Sequence, residues 1–140
     1  MKKLFTMVAM AFMAVCVNAQ STDKTWNFSE WEAKEYTEKF TKDGLTIYAK
    51  SDKKVTIDGS KKTVNEVKYT QRLKFGGTGS ADSRCVEFEV DGACTIEVVL
   101  TSGSKDYDRK LNICAGEFSQ DNPLATLLAL GSGVTLESYK

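Results

Sequence analysis

Glu87, Glu89 and Glu97 are the residues whose types and spacing come nearest to a catalytic constellation. A glycosidase needs two carboxyl groups about 5–10 Å apart across a cleft, one to protonate the leaving oxygen and one to act as base or nucleophile. Glu87 and Glu89 share one face of an alternating segment, with Glu97 opposite in the expected pairing. Neighbouring carboxylates on an exposed strand meet that distance trivially, so a charged outer sheet face is the simpler reading. The chain contains no histidine. That removes the commonest general base, the commonest metal ligand and every Ser-His or Cys-His nucleophile. Non-catalytic function is therefore the expectation, with a carboxylate-based lyase or hydrolase the lesser alternative.

Metal and phosphate chemistry are weakly represented. Asp52, Asp58, Asp82, Asp91, Asp106 and Asp108 fall in turn-forming stretches, where carboxylates and carbonyls can hold calcium. No EF-hand spacing occurs, so a structural calcium is the only cofactor the pattern admits. Gly76-Gly77-Thr78-Gly79-Ser80 follows a strand, but neither Lys-Ser/Thr nor a helix comes next, which argues for a tight loop over a phosphate cradle. Of the four cysteines, Cys85, Cys94 and Cys114 lie beyond residue 19. There is no CxxC pair, so zinc is not expected. Thiols packed in a core are the default, and an odd number leaves at least one unpaired.

The aromatic residues offer a binding chemistry. Sugar rings stack their CH faces on flat aromatic surfaces. Trp26 and Phe28 alternate as core residues do. Trp31, Tyr48 and Tyr107 are the candidate ligand-binding aromatics: Tyr48 lies off the apolar face of its strand and Tyr107 sits in a loop.

These residues need elements to position them, and the pattern is one of short strands and turns. Tyr36–Thr41 and Leu45–Ala49 flank Lys42-Asp43-Gly44 as a hairpin, with Leu45, Ile47 and Ala49 on one face. Val55–Ile57 leads to a turn at Asp58-Gly59-Ser60. Val67, Tyr69, Gln71, Leu73 and Phe75 alternate with polar residues along a half-buried strand. Arg84–Thr101 is expected to form a hairpin turning at Asp91–Ala93, a register that sets Val90, Phe88 and Val86 opposite Cys94, Ile96 and Val98. Cys85 then points to the opposite face from Cys94, which argues against a disulfide between them, and the sequence fixes no other pairing. Leu111, Ile113 and Ala115 alternate in a further strand, and Val134–Ser138 begins a last one. Two helical pieces are expected. Ser29 and Glu32 have capping-box spacing, predicting a helical turn over Glu30–Tyr36. Asn122-Pro123 reads as a cap and first position for a helix over Leu124–Leu130 closed by Gly131. The fold class is all-β, an antiparallel β-sandwich of jelly-roll type with one or two short helices.

The first nineteen residues stand apart. Lys2 and Lys3 precede the apolar run Leu4–Val15, and Val17-Asn18-Ala19 has the small-x-small pattern of a signal-peptidase site. The run is too short for a membrane span. A lipoprotein signal would make Cys16 the acylated residue, and Met13-Ala14-Val15 approaches it poorly. The expected organisation is thus a signal peptide at 1–19 and one domain at 20–140, exported to the periplasm, cell surface or medium. The chain carries 19 basic and 19 acidic residues, and the leader holds two of the former and none of the latter. The remainder is slightly acidic with interspersed signs, which argues against a nucleic-acid partner or an electrostatic membrane contact.

Four segments occur in order: Thr25-Trp26-Asn27-Phe28-Ser29, Asp43-Gly44-Leu45-Thr46-Ile47-Tyr48-Ala49, Gln71-Arg72-Leu73-Lys74-Phe75-Gly76-Gly77-Thr78-Gly79-Ser80 and Arg109-Lys110-Leu111-Asn112-Ile113. With them the chain resembles a small secreted β-sandwich domain of Bacteroidetes, of the kind found beside pectate lyases and other glycan-degrading modules. The resemblance implies a non-catalytic, carbohydrate-binding-like accessory module whose partner is a polysaccharide or oligosaccharide. It assigns no ligand residues. Domains of that kind continue past the position of Tyr139, which implies that closing strands are missing after Lys140 and a sheet edge is left open. The alternative is a structural or protein-interaction domain of a surface assembly.

Overall fold

The structure, a computed structural model, describes residues 2–7, 13–18, 24–90 and 94–139, with the backbone alone for 2–7, 13–18 and Cys94. Among the described residues thirteen strands form three sheets, and every pairing is antiparallel. The largest sheet has the order β12-β11-β1-β9-β6-β5, from Ala125–Ala129, Arg109–Ala115, Lys2–Met7, Cys85–Glu89, Leu45–Tyr48 and Phe40–Lys42. The second has the order β13-β10-β2-β3, from Thr135–Tyr139, Cys94–Leu100, Met13–Asn18 and Lys24–Asn27. The third is β4-β7-β8, from Lys34–Tyr36, Val55–Val64 and Val67–Lys74. All three contribute to one buried cluster, among it Ile47, Phe88 and Ile113 from the first, Trp26, Ile96 and Val98 from the second, and Tyr36, Ile57 and Leu73 from the third. The all-β, sandwich-like expectation matches this architecture.

Local chemistry explains the hairpins. Asp43 and Gly44 both adopt positive φ, 51° and 81°, so Lys42 pairs with Leu45 across a two-residue turn. That conformation twists with the strands it joins and favours Asp-Gly. The turn sets Leu45 and Ile47 inward, as their alternation predicts. Asn65 and Glu66 repeat the device at φ 49° and 67° between β7 and β8. The expected turn at Asp58-Gly59-Ser60 is instead a register shift between Gly59 and Lys62 inside the long strand β7. An extra residue there bends the strand without ending it.

Neither expected helix forms as such. The first becomes a 3-10 turn at Phe28–Glu30, capped by the Asn27 side chain, whose oxygen accepts from the Ser29 N–H at 3.0 Å. The Ser29 hydroxyl does not cap a helix. It accepts from the Thr70 N–H of β8 at 2.9 Å, and Lys34–Tyr36 pairs with β7 as a strand. Gln71 completes the junction, its amide nitrogen donating to the carbonyls of Phe28 at 2.9 Å and Trp31 at 2.7 Å. Gln71→Leu, similar in size, leaves two carbonyls without this donor. It is expected to lower stability by about 1–3 kcal/mol in urea unfolding, and Gln71→Glu, which offers no such donor pair, by at least as much.

The second expected helix is strand β12. Leu127 and Ala129 are buried, alternating with exposed Thr126 and Leu128, and Leu127 pairs with Leu111. Helical propensity in Leu124–Leu130 yields to edge pairing on β11, which buries the alternate residues and satisfies the backbone together.

The expected Arg84–Thr101 hairpin is also corrected. β9 pairs with β6 and β1, whereas β10 pairs with β13 and β2 in another sheet. The apolar faces that suggested pairing, Val86 and Phe88 with Ile96 and Val98, meet within the common core. Packing across a core needs the same alternation as pairing along a ladder, so the pattern could not separate the two. The turn at residues 91–93 lies outside the described residues. Cys85 and Cys114 are buried free thiols.

Strands β1 and β2 fall within the segment read as a signal peptide. Their backbones occupy interior positions, β1 between β9 and β11 and β2 between β10 and β3. No helix among the described residues is long and apolar enough to cross a membrane.

Candidate functional site

A basin of about 470 Å³ opens where four segments meet. The irregular part of β7 brings Ser60 and Lys62, and β8 brings Arg72. The loop after β10 supplies Thr101 to Lys105, and the loop between β12 and β13 supplies Gly131, Ser132 and Gly133. Its walls are hydroxyls, backbone of small residues and three cations, with no carboxylate among the lining residues.

The two loops are tied to each other. The Ser102 N–H donates to the Leu130 carbonyl at 3.0 Å. The buried Thr101 hydroxyl lies 3.1 Å from the Leu130 carbonyl and 2.9 Å from that of Gly133, within donating reach of both. The Gly131 N–H donates to Asp108 at 2.9 Å. Gly131 sits so close to the 104–107 backbone that a Cβ would lie 2.8 Å from the carbonyl oxygens of Ser104 and Lys105. Ser102 and Ser104 fold the first loop over itself, their hydroxyls accepting from the N–H groups of Ser104 and Asp106 at 3.1 and 3.2 Å. The rim is therefore held by side chains as short as serine, which leaves the interior open.

Arg72 is fixed by Asp58, with Nε to Oδ1 at 2.6 Å and Nη2 to Oδ2 at 3.2 Å. That forked pair orients the guanidinium and largely neutralises it. Lys62 and Lys105 carry the remaining positive charge. An anion 4 Å from a lysine gains about 1 kcal/mol in bulk water and about 4 kcal/mol in the more weakly screened setting of a protein surface. The basin thus suits a ligand with many hydroxyls and negative charge.

A second, smaller cavity of about 290 Å³ is lined by Lys24, Gly44, Thr46, Glu87, Phe88 and Glu89. It brings Glu87 and Glu89 together on the outer side of β9. Glu97, on β10, belongs to a different sheet, so the expected placement opposite them does not occur. Tyr48 donates to Glu87 Oε1 at 3.1 Å. Partial burial, then the Glu87 charge and that hydrogen bond, hold the Tyr48 hydroxyl above its usual value. It stays neutral and serves as a donor.

The three candidate aromatics are not assembled into one surface, and none lines either cavity. Trp31 is only 7 % exposed. It packs on Phe28 at 5.0 Å and Phe40 at 6.4 Å, with the Lys42 ammonium over its ring at 4.8 Å. It is a core residue, correcting its place among surface aromatics. Tyr48 is half-buried with Lys39 above its ring. Tyr107 is 63 % exposed and lies in the loop that walls the basin, its carbonyl oxygen 3.0 Å from the position of a Gly131 Cβ. Of the three, Tyr107 alone belongs to a loop that meets a lining residue, through its backbone, and the Arg109 guanidinium lies 5.6 Å from its ring centre. The signal that could have found the basin was two glycine-serine runs, Thr101-Ser102-Gly103-Ser104-Lys105 and Gly131-Ser132-Gly133, separate in sequence and joined only in the fold.

Other candidates resolve into structure. Asp82 bonds Lys50 at 2.6 Å and Ser80 at 2.9 Å, which hold its carboxyl below the usual value. The glycine cluster ends in a tight loop where Ser80 N–H donates to the Ser83 carbonyl at 2.8 Å. Among the described residues no three His, Cys, Asp or Glu side chains gather as a metal site.

Burial, then the charges of Glu87 and Asp82, push the Cys85 thiol from 9.0 up to about 12. A raised folded value favours the neutral thiol in the folded state. Its stabilising contribution is complete below pH 9 and is lost as the pH rises toward 12. Alkaline unfolding is expected to show a stability loss over that window that Cys85→Ala reduces, and Cys85 is expected to resist alkylation at pH 8 until the protein unfolds.

Comparison with protein-family profiles, curated proteins and solved structures finds no match.

Proposed function

We propose that the protein is an exported, non-catalytic accessory module that binds an acidic glycan, such as the galacturonate chain of pectin, in the basin between β7, β8 and the two loops. The observation that carries this reading is the lining: hydroxyls, backbone of small residues, the two lysines Lys62 and Lys105, and Arg72 paired with Asp58, with no carboxylate among the lining residues themselves. A volume of about 470 Å³ lies in the range of small-ligand sites and accommodates one or two sugar rings. Hydroxyl and amide groups match sugar hydroxyls, and Lys62 and Lys105 match a uronate carboxylate. Tyr107 is exposed in the loop that continues from Lys105, with the Arg109 guanidinium 5.6 Å from its ring centre, and offers an aromatic surface near that end of the loop. The absence of histidine and the resemblance to glycan-degradation modules support binding over turnover.

Affinity electrophoresis in gels cast with polygalacturonate, or with a neutral glucan as control, tests this. Retardation by the acidic polymer alone is expected, weakening with salt as screening requires. Lys62→Ala with Lys105→Ala is expected to reduce affinity by about tenfold or more, equivalent to about 1.4 kcal/mol. Tyr107→Ala is expected to have a smaller effect. No retardation in acidic polymers, or retardation unchanged in the double variant, overturns the proposal.

A further inference from the structure

Strand β1 is the seam of the largest sheet. It pairs with β11 over Lys3 to Met7 and with β9 over Lys2 to Thr6. On their other sides β9 keeps β6 and β11 keeps β12. Removal of residues 1–19 takes β2 from between β10 and β3 and, in the largest sheet, leaves two paired walls, β5-β6-β9 and β11-β12, with one strand missing between them. The residues along those walls include Cys85, Val86, Phe88, Leu111, Ile113 and Cys114, each at most 2 % exposed with the sheet intact. Their backbone N–H and C=O groups would face a slot, and unpaired buried backbone groups are costly.

The slot does not heal cheaply. Closing it would move one wall by a strand spacing of about 4.8 Å and shear Val86 and Phe88 past their partners in the common core. β9 and β11, each antiparallel to β1, run parallel to one another, so they would also have to form a new kind of ladder.

We propose that the processed chain accepts an extended strand from another polypeptide into the slot between β9 and β11. The inference rests on the export in the proposed function, with the leader removed at the signal-peptidase pattern Val17-Asn18-Ala19. The walls specify the guest. It runs antiparallel to both. The positions now held by Lys3, Phe5 and Met7 are paired with Phe88, Val86 and Leu111, with Ile113 also opposite Phe5, and so favour apolar residues. The positions held by Lys2 and Leu4 are paired with Glu89 and Glu87 of β9, and so admit basic residues, although Leu4 is also paired with the buried Cys114 of β11. A donor with alternating apolar and basic residues fits better than the leader itself, which has a lysine opposite Phe88. Main-chain bonds to both walls would supply affinity, and the alternate side chains would supply selection.

The test begins with the full chain exported and recovered from the periplasm, with its N-terminus read by mass spectrometry. An intact leader on the exported protein overturns the proposal at its premise of cleavage, whereas absence from the periplasm marks failure of the export reading, each distinct from failure of the slot. On the processed chain, backbone hydrogen exchange is followed at residues 85–89 and 111–115. The probes are a peptide of the Lys2–Met7 sequence with a soluble tail, the same peptide with Lys3→Ile, and a scrambled control. Fast exchange without peptide, protection with either matched peptide and none with the scramble are expected, with the Lys3→Ile peptide about tenfold tighter. Protection without any peptide overturns the proposal, as does protection that grows with protein concentration, which would make a second copy the donor. So does the lack of protection by both matched peptides. Should the processed chain aggregate, the full chain carrying Phe5→Asp replaces it. The Lys3→Ile peptide is then expected to protect β9 and β11 in that variant and not in its parent, and failure to do so overturns the proposal.

Discussion

Phe88→Ala is expected to lower folding stability by about 3–5 kcal/mol, the range for removing a buried aromatic ring. Phe88 is 2 % exposed on β9, and its ring lies 5.0 Å from that of Trp26, tilted at 45°. Trp26 in turn donates its indole N–H to the Asp43 carbonyl at 2.9 Å, at the turn between β5 and β6. The ring thus joins the first sheet to the second and supports the anchor of a hairpin. Its loss leaves a void bordered by groups held in place by other bonds, so little collapse can offset the cavity. Against a total of about 5–15 kcal/mol for a domain, the change removes a large share. Guanidinium unfolding followed by tryptophan fluorescence measures it, with Lys68→Ala, at an exposed position of β8, expected to stay within about 0.5 kcal/mol. A loss below about 1 kcal/mol for Phe88→Ala would mean that the junction between sheets is not as described.

Gly131→Ala is expected to cost about 1–3 kcal/mol and, unlike Phe88→Ala, to act on the basin directly. The new methyl would lie 2.8 Å from two carbonyl oxygens and 3.0 Å from a third, all backbone and so unable to swing aside. Relief requires the 104–107 segment to move away from Gly131. That separates Lys105 from the other cation-bearing wall and strains the Gly131 N–H bond to Asp108. Retardation by polygalacturonate is expected to fall at least as far as in the double lysine variant, although no charge has changed. Thermal melting gives the stability change and affinity electrophoresis the binding change. A stable protein with unaltered retardation would show that the close approach of the two loops does not shape the basin. Ser132→Ala, which adds no atom beyond the backbone's needs, is the matched control and is expected to leave stability within about 0.5 kcal/mol.

Much of the fold was legible in particular residues. Asp43-Gly44 between alternating strands gave its hairpin, because positive φ at both positions is rare and Asp-Gly tolerates it. The alternation of Val67, Tyr69, Gln71, Leu73 and Phe75 marked one inward face of β8 and its continuation from Tyr69 onward, while Val67 at its start is exposed. Other features were hidden for identifiable reasons. Ser29 had the spacing of a helix cap, but its hydroxyl found the β8 backbone, forty-odd residues away in the chain. Leu124–Leu130 suits helix or strand by composition, and only β11 alongside decides. Trp31 looked available to a sugar because nothing in its neighbourhood says that Phe28, Phe40 and Lys42 cover it.

By itself the sequence determined the fold class, the absence of histidine chemistry, the near balance of charge and the leader-like character of the first nineteen residues. These follow from composition, from alternation and from local turn chemistry, which act over a few residues at a time. Only the tertiary structure decided which strands are neighbours, that β9 and β10 part into different sheets, and that Thr101–Lys105 and Gly131–Gly133 face Lys62 and Arg72 across a basin. Pairing partners distant in sequence are chosen by which combination of strands buries its apolar faces while satisfying every backbone group, and that choice depends on the whole chain at once.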